Sequence, residues 1–253
     1  MKLLTLLLSI ASVALGTAET SRPTIVLVHG AFADGSSWAK VIPLLEADGY
    51  TVIAVQNPLT SLTDDIATTK RVIDAQKGSV VVVGHSYGGA VITAAAAGNA
   101  NVKALIYVAA FAPDVDEVLS APGAKFAAPP LSTALVPDSA GFLYVDRGKF
   151  HDAICKDIPV AEARILAATQ KPLNGSAFSA AVPGGAWKTI PSWYIVASED
   201  HAINPELERF YAKRIGATTT EIKSSHVPFV SHPKEVVKVI EAAATASAVR
   251  ATH

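Results

Sequence analysis

Short runs of uninterrupted apolar, β-branched residues alternate along the chain with stretches whose apolar positions recur at helical spacing. Thr24–Val28 (Thr-Ile-Val-Leu-Val) has no polar alternation, the pattern of a strand covered on both faces. Largely apolar runs follow at 51–55, 80–83, 102–108 and 192–196, and 218–222 is read as a sixth strand. Between them, 38–48 places Trp38, Val41, Ile42, Leu44 and Leu45 on one helical face and stops at Gly49. The stretch 63–75 predicts a second helix, capped by Thr63, with Asp64 and Asp65 in the first turn where the helix dipole favours them. Further helices are expected over 87–97, 205–215 and 233–244. Strands joined through helices are parallel strands, because a parallel connection needs a crossover. The pattern therefore predicts an α/β fold: a six-stranded, mostly parallel sheet flanked by helices.

The alternation lapses after Phe111. Residues 112–188 are rich in Pro and Ala, with one helical stretch near 160–169, before strand-helix order resumes. This is read as a cap inserted between the fourth and fifth strands. In open α/β sheets ligands bind beyond the carboxyl ends of the strands, so a cap there would cover the site. Ahead of the first strand, residues 1–18 carry Lys2, then an apolar run over 3–15, then small residues at 14–18. That is the form of a secretory signal peptide, which leaves residues 19–253 as one domain in a secreted or periplasmic protein. Its apolar run is shorter than the ~20 residues that span a bilayer, and no other membrane span is visible.

Composition narrows the function class. Of 253 residues half are hydrophobic and 17% charged, and 21 basic against 22 acidic residues leave a net charge of −1. A nucleic-acid partner would call for a basic patch, and none is seen. The single cysteine, Cys155, cannot form an intrachain disulfide and has no flanking catalytic pattern.

The chemistry concentrates at the ends of the strands. Gly84-His85-Ser86-Tyr87-Gly88 fits G-x-S-x-G between a strand and a helix, the setting of a nucleophile elbow, with glycines where a Cβ would clash. Ser86 is the expected nucleophile. A serine hydroxyl needs a base, and His226, in the loop after the last strand, is the expected one. His29 is read as structural, and the side chain of His85 is expected to point away from the serine. Asp200, just after the fifth strand, is the expected partner of His226, with Glu199 and Asp114 as rivals. The order Ser, Asp, His is the one that elbow-bearing folds use. The N–H of Tyr87 and one from the loop after the first strand, Ala31 or else Phe32, are the expected oxyanion donors. Phe32, Trp38 and Phe111 are expected to contact substrate.

With these residues in place the chain resembles the α/β-hydrolase superfamily. The motifs are Val26-Leu27-Val28-His29-Gly30-Ala31, Gly84-His85-Ser86-Tyr87-Gly88-Gly89, Ser198-Glu199-Asp200-His201 and Ser225-His226. It is most similar to the branch of hydroxynitrile lyases, methyl-salicylate-type esterases and small bacterial carboxylesterases. The resemblance implies a Ser86, Asp200, His226 triad, Ala31 and Tyr87 as oxyanion donors, and neither cofactor nor metal. The expected activity is hydrolysis of a small-molecule ester through an acyl-enzyme. One alternative is a lyase acting on a cyanohydrin, which would want a pocket lysine such as Lys223 or Lys125. The other is a ligand-binding protein with little turnover.

Overall fold

The computed structural model of the chain describes residues 22–250, with side chains through 247; the expected signal peptide lies outside the described residues. The elements run β1 (Thr24–Val28), α1 (Ile42–Ala47), β2 (Val52–Ala54), α2 (Leu62–Asp74), β3 (Val80–His85), α3 (Tyr87–Ala95) and β4 (Val102–Val108). After an inserted segment come β8 (Ser192–Ala197), α6 (Pro205–Arg214), β9 (Thr218–Ile222), α7 (Pro228–Ser231) and α8 (Pro233–Arg250). The sheet order is β2-β1-β3-β4-β8-β9, and every pairing is parallel. Each residue of β3 and β8 is buried. One helical layer is built on α3, which packs against β1, β3, β4 and α2; the other on α8, which packs against β3, β4, β8 and α1. This two-sided cover is why the inner strands β1, β3, β4 and β8 read as largely apolar runs.

The chain leaves β1 for β2 on one side and returns to β3 on the other. The strand order reverses between β1 and β3, and the crevice beyond their carboxyl ends is where such sheets bind ligands. The segments leaving those ends are His29-Gly30-Ala31 and Ser86-Tyr87.

Two helix starts differ from the sequence pattern. The first helix begins at Ile42 and not Trp38, because Pro43 lacks an N–H and fits only a first turn; residues 35–38 form a separate 3₁₀ turn. The second helix is capped by Ser61, whose hydroxyl accepts from the Asp64 N–H at 3.1 Å, and not by Thr63.

The insert has structure of its own. An antiparallel sheet of β5 (Leu135–Pro137), β6 (Phe142–Val145) and β7 (Leu173–Asn174) is joined by α4 (Phe150–Ile154) and α5 (Val160–Thr169). Hydrogen bonds fasten it to the core: the Lys171 ammonium donates to the Asn57 carbonyl, the Asn174 N–H donates to the Leu59 carbonyl at 2.9 Å, and Ser225 donates to Asp157 through both its N–H and its hydroxyl. Among the described residues no helix is long and apolar enough to cross a membrane.

Candidate active site

Ser86 follows the last residue of β3 and stands at the N-cap position of α3 with φ 53° and ψ −123°, a conformation that L side chains adopt at a cost of about 1–3 kcal/mol. The surroundings enforce it. A Cβ on Gly84 would lie 2.7 Å from the Gly88 carbonyl oxygen, and one on Gly88 would lie 2.7 Å from the carbonyl oxygens of both Val28 and His29. With glycine at both positions, α3 seats directly on the ends of β1 and β3. The turn is held by the Ser86 N–H donating to Val108 at 3.1 Å and by Phe111 donating to the Ser86 carbonyl at 3.1 Å.

Ser86 opens into a cavity of about 240 Å³ that is also lined by Ala31, Phe32, Tyr87, Phe111 and His226. The roof is the insert, through Leu131, Leu135, Phe150, Ile154, Leu166 and Phe178. His226 is buried, and its Nδ1 donates to Asp200 Oδ2 at 2.5 Å. That leaves Nε2 as the nitrogen open to other partners. Asp200 is buried too, and its other oxygen accepts from the N–H groups of Ala202 at 2.5 Å and Ile203 at 2.9 Å. Three donors on one carboxylate satisfy both oxygens and fix its plane. The rivals lie elsewhere. Glu199 is more than half exposed beside Lys223, and Asp114 is tied to Lys188 at 2.6 Å.

Tyr87 is the first residue of α3, so its N–H has no acceptor within the helix. It and Ala31 flank Ser86 in the cavity wall. The intervening loop residue Phe32 has φ 60°, a second strained position beside the serine. The Tyr87 side chain turns away from the cavity, and its hydroxyl donates to the buried Asp65 at 2.7 Å.

Phe32 and Phe111 line the cavity, but Trp38 does not. Trp38 is a core residue with no exposed surface, packed on Phe229 at 4.4 Å between ring centroids. The separate 3₁₀ turn that carries it points it inward. His85 also departs from expectation: its side chain stays at the site. Its Nε2 donates to the His226 carbonyl at 2.9 Å, its ring sits 4.6 Å from the His226 ring, and it touches the cavity. Burial first, then the neighbouring His226, hold its pKa well below the usual histidine range, so it is a neutral strut. His29 is neutral for a related reason. Nδ1 donates to the Gly30 carbonyl at 2.8 Å and Nε2 accepts from the Asn57 N–H at 3.0 Å, while burial lowers its pKa to about 4. The Cys155 thiol is buried and pushed up to about 12, which removes it as a nucleophile.

Two supporting residues escaped the sequence reading. Asp157 holds Ser225, the neighbour of His226, from the insert, and nothing in its local pattern marks it. Glu208 accepts from the Ala197 N–H at 3.0 Å and is fully buried. Its signal was a charged residue within the apolar stripe Leu207, Glu208, Tyr211, Ala212. Among the described residues no cluster of three or more His, Cys, Asp or Glu is placed to hold a metal ion.

The alpha/beta hydrolase family model matches residues 25–239. The chain belongs to the alpha/beta hydrolase family. It is 27% identical to Methylesterase 8 of Arabidopsis thaliana over 217 residues, covering 76% of this chain and 78% of that one. It is 34% identical to the alpha-hydroxynitrile lyase of the same plant over 109 residues, 38% of this chain and 42% of the lyase. The crystal structure of a pyrethroid hydrolase from Sphingobium faniae JZ-2 matches this hydrolase with a TM-score of 0.77 at 23% identity, over 89% of this chain and 98% of that one. The parallel sheet with its flanking helices is thus the family fold.

Proposed function

We propose that the protein is an exported serine hydrolase that cleaves carboxylic esters of small or medium apolar molecules through an acyl-enzyme. The observation that carries this reading is Ser86, held strained at the mouth of an apolar cavity that it shares with His226, itself bonded to buried Asp200. His226 Nε2 takes the Ser86 proton as the oxygen attacks the ester carbonyl. The Ala31 and Tyr87 N–H groups stabilise the oxyanion, and His226 returns the proton to the leaving alcohol. Water, deprotonated by the same imidazole, then releases the acid. No lysine or arginine lines the cavity, while five phenylalanines do, so neutral apolar esters match it better than anionic ones. Export rests on the signal-peptide form of residues 1–18.

The likeness to an alpha-hydroxynitrile lyase favours a second reading, C–C cleavage of a cyanohydrin by the same base. It expects a pocket lysine. Neither Lys223, exposed beside Glu199, nor Lys125 lines the cavity. One experiment separates the readings. The mature protein is treated with a fluorophosphonate, the adduct mapped by mass spectrometry, and turnover measured on p-nitrophenyl butyrate and on mandelonitrile, with Ser86→Ala and His226→Ala as controls. An adduct on Ser86 and ester turnover lost in both variants is expected. Cyanide release without ester turnover would transfer the assignment to the lyase, and a folded protein with no adduct and no turnover would refute both.

A further inference from the structure

Glu208 lies on α6, about one turn beyond its Asn204 cap, and has no exposed surface. A carboxyl buried this completely is stable only if both oxygens are satisfied or the group is neutral. Oε2 accepts from the Ala197 N–H, at the end of the strand that delivers Asp200. Oε1 is buried and receives no hydrogen bond from any donor among the described residues. The Glu208 side chain is in contact with that of Asp200, and with Oε2 taken by Ala197, Oε1 is the oxygen left for it. Two ionised carboxylates have no hydrogen to share, and one proton between them resolves the contact. Asp200 already accepts three hydrogen bonds; Glu208 accepts one. The proton belongs on Glu208.

We infer that Glu208 is a positioning residue of the proposed triad: a carboxylic acid whose Oε1–H donates to the Asp200 carboxylate and supports the face of Asp200 away from His226. This rests on the reading of Ser86, Asp200 and His226 as the catalytic trio. Burial, and then the adjacent Asp200 charge, raise the Glu208 pKa well above the ordinary range, in keeping with a neutral acid. The other charged or titratable groups that face it do not supply a cation at contact. Arg209 is exposed and engaged by Glu206 and Glu221, while Tyr194, behind it on β8, has a strongly raised pKa and is also neutral. His226 lies beyond Asp200.

The consequence is a tuned base. A fourth donor draws charge from Asp200, so Asp200 holds the His226 proton less strongly and the imidazole is free to act as a base at lower pH. Without that donor, the acid limb of the kcat/KM profile should move upward.

Three forms test this: wild type, Glu208→Gln, whose amide can both accept from Ala197 and donate to Asp200, and Glu208→Met, which fills the space and donates nothing. Infrared difference spectra of the wild type against Glu208→Gln, each also carrying Ser86→Ala, report the protonated carboxyl without needing turnover. A carboxylic-acid carbonyl band at neutral pH, lost in Glu208→Gln, is expected. In the active forms, Glu208→Gln should stay within about three-fold of wild type with an unshifted acid limb. Glu208→Met should move that limb upward by roughly half to one pH unit and lose about ten-fold in kcat/KM at neutral pH. Absence of the band, its survival in Glu208→Gln, or a folded Glu208→Met with the wild-type profile would each overturn the inference. Because the band is read with Ser86 removed, failure of the hydrolase reading would leave it in place and show only in the turnover arm.

Discussion

Asp200→Asn is the sharpest perturbation of the site, because the structure leaves the new amide one orientation. Oδ1 faces two backbone N–H groups, from Ala202 and Ile203, and Oδ2 faces the His226 Nδ1. The amide oxygen must remain against the two N–H groups, since an NH₂ there would set donor against donor. The NH₂ then points at Nδ1, which must become an acceptor. The imidazole proton moves to Nε2, and the nitrogen nearest the reaction can no longer take a proton from Ser86. Reversing the amide would restore the tautomer but leave two buried donors unmet, at about 1–3 kcal/mol each. The productive form is thus disfavoured by roughly 2–6 kcal/mol, and at 1.36 kcal/mol per decade the expected loss in kcat is about 10²–10⁴-fold. Steady-state hydrolysis of p-nitrophenyl butyrate measures it, with the thermal midpoint as the control for folding. Glu199→Gln, altering the exposed neighbour, should leave kcat within two-fold. A folded Asp200→Asn within ten-fold of wild type would refute the tautomer argument.

Three further outcomes are expected. Asp157→Ala frees Ser225 beside His226; misplacing the base by a fraction of an ångström should cost about 10–100-fold in kcat with little change in KM, and a native kcat would show that the insert does not hold the histidine. Tyr87→Phe removes the hydroxyl on Asp65 but leaves the Tyr87 N–H untouched; urea unfolding should show a loss of about 1–3 kcal/mol, with kcat changed less than three-fold, whereas a large kcat loss at unchanged stability would place the side chain in the chemistry. His29 is neutral in the folded chain with a pKa of about 4, and His85 is lowered in the same direction, so each takes a proton on unfolding once pH falls below about 6.5. Glu208 acts oppositely, keeping a proton that the unfolded chain has lost. The two histidines outnumber the glutamate, so stability should fall between pH 6.5 and 5; urea unfolding at the two values checks it, Glu208→Gln should steepen it, and a flat profile would contradict the neutral assignment of the histidines.

The parts of this protein that were readable from sequence are those where one local constraint decides the outcome. A strand covered on both faces is mostly apolar, so β1 and β4 were found at their observed boundaries; the exposed edge strand β9 was found through its run of β-branched threonines. The elbow was readable because contacts of 2.7 Å with backbone atoms leave no alternative to glycine at Gly84 and Gly88. The insert was not readable beyond α5, because its short strands are half-exposed and held by pairings distant in sequence, such as Leu135 with Val145 and Leu143 with Leu173. Trp38 and His85 were misplaced for a related reason. Where a side chain points is settled by packing from another element, here Phe229 on α7, a helix too short to leave a periodic signal. Glu208 shows the converse. Its position in the apolar stripe of α6 was visible, but a stripe cannot tell whether a buried acid is a defect or a donor. Only the junction of α6 with the end of β8, which brings the Glu208 carboxyl to Asp200, gives that acid a partner, and the same junction makes the protonation of one residue a property of the base two residues away in the chain of contacts.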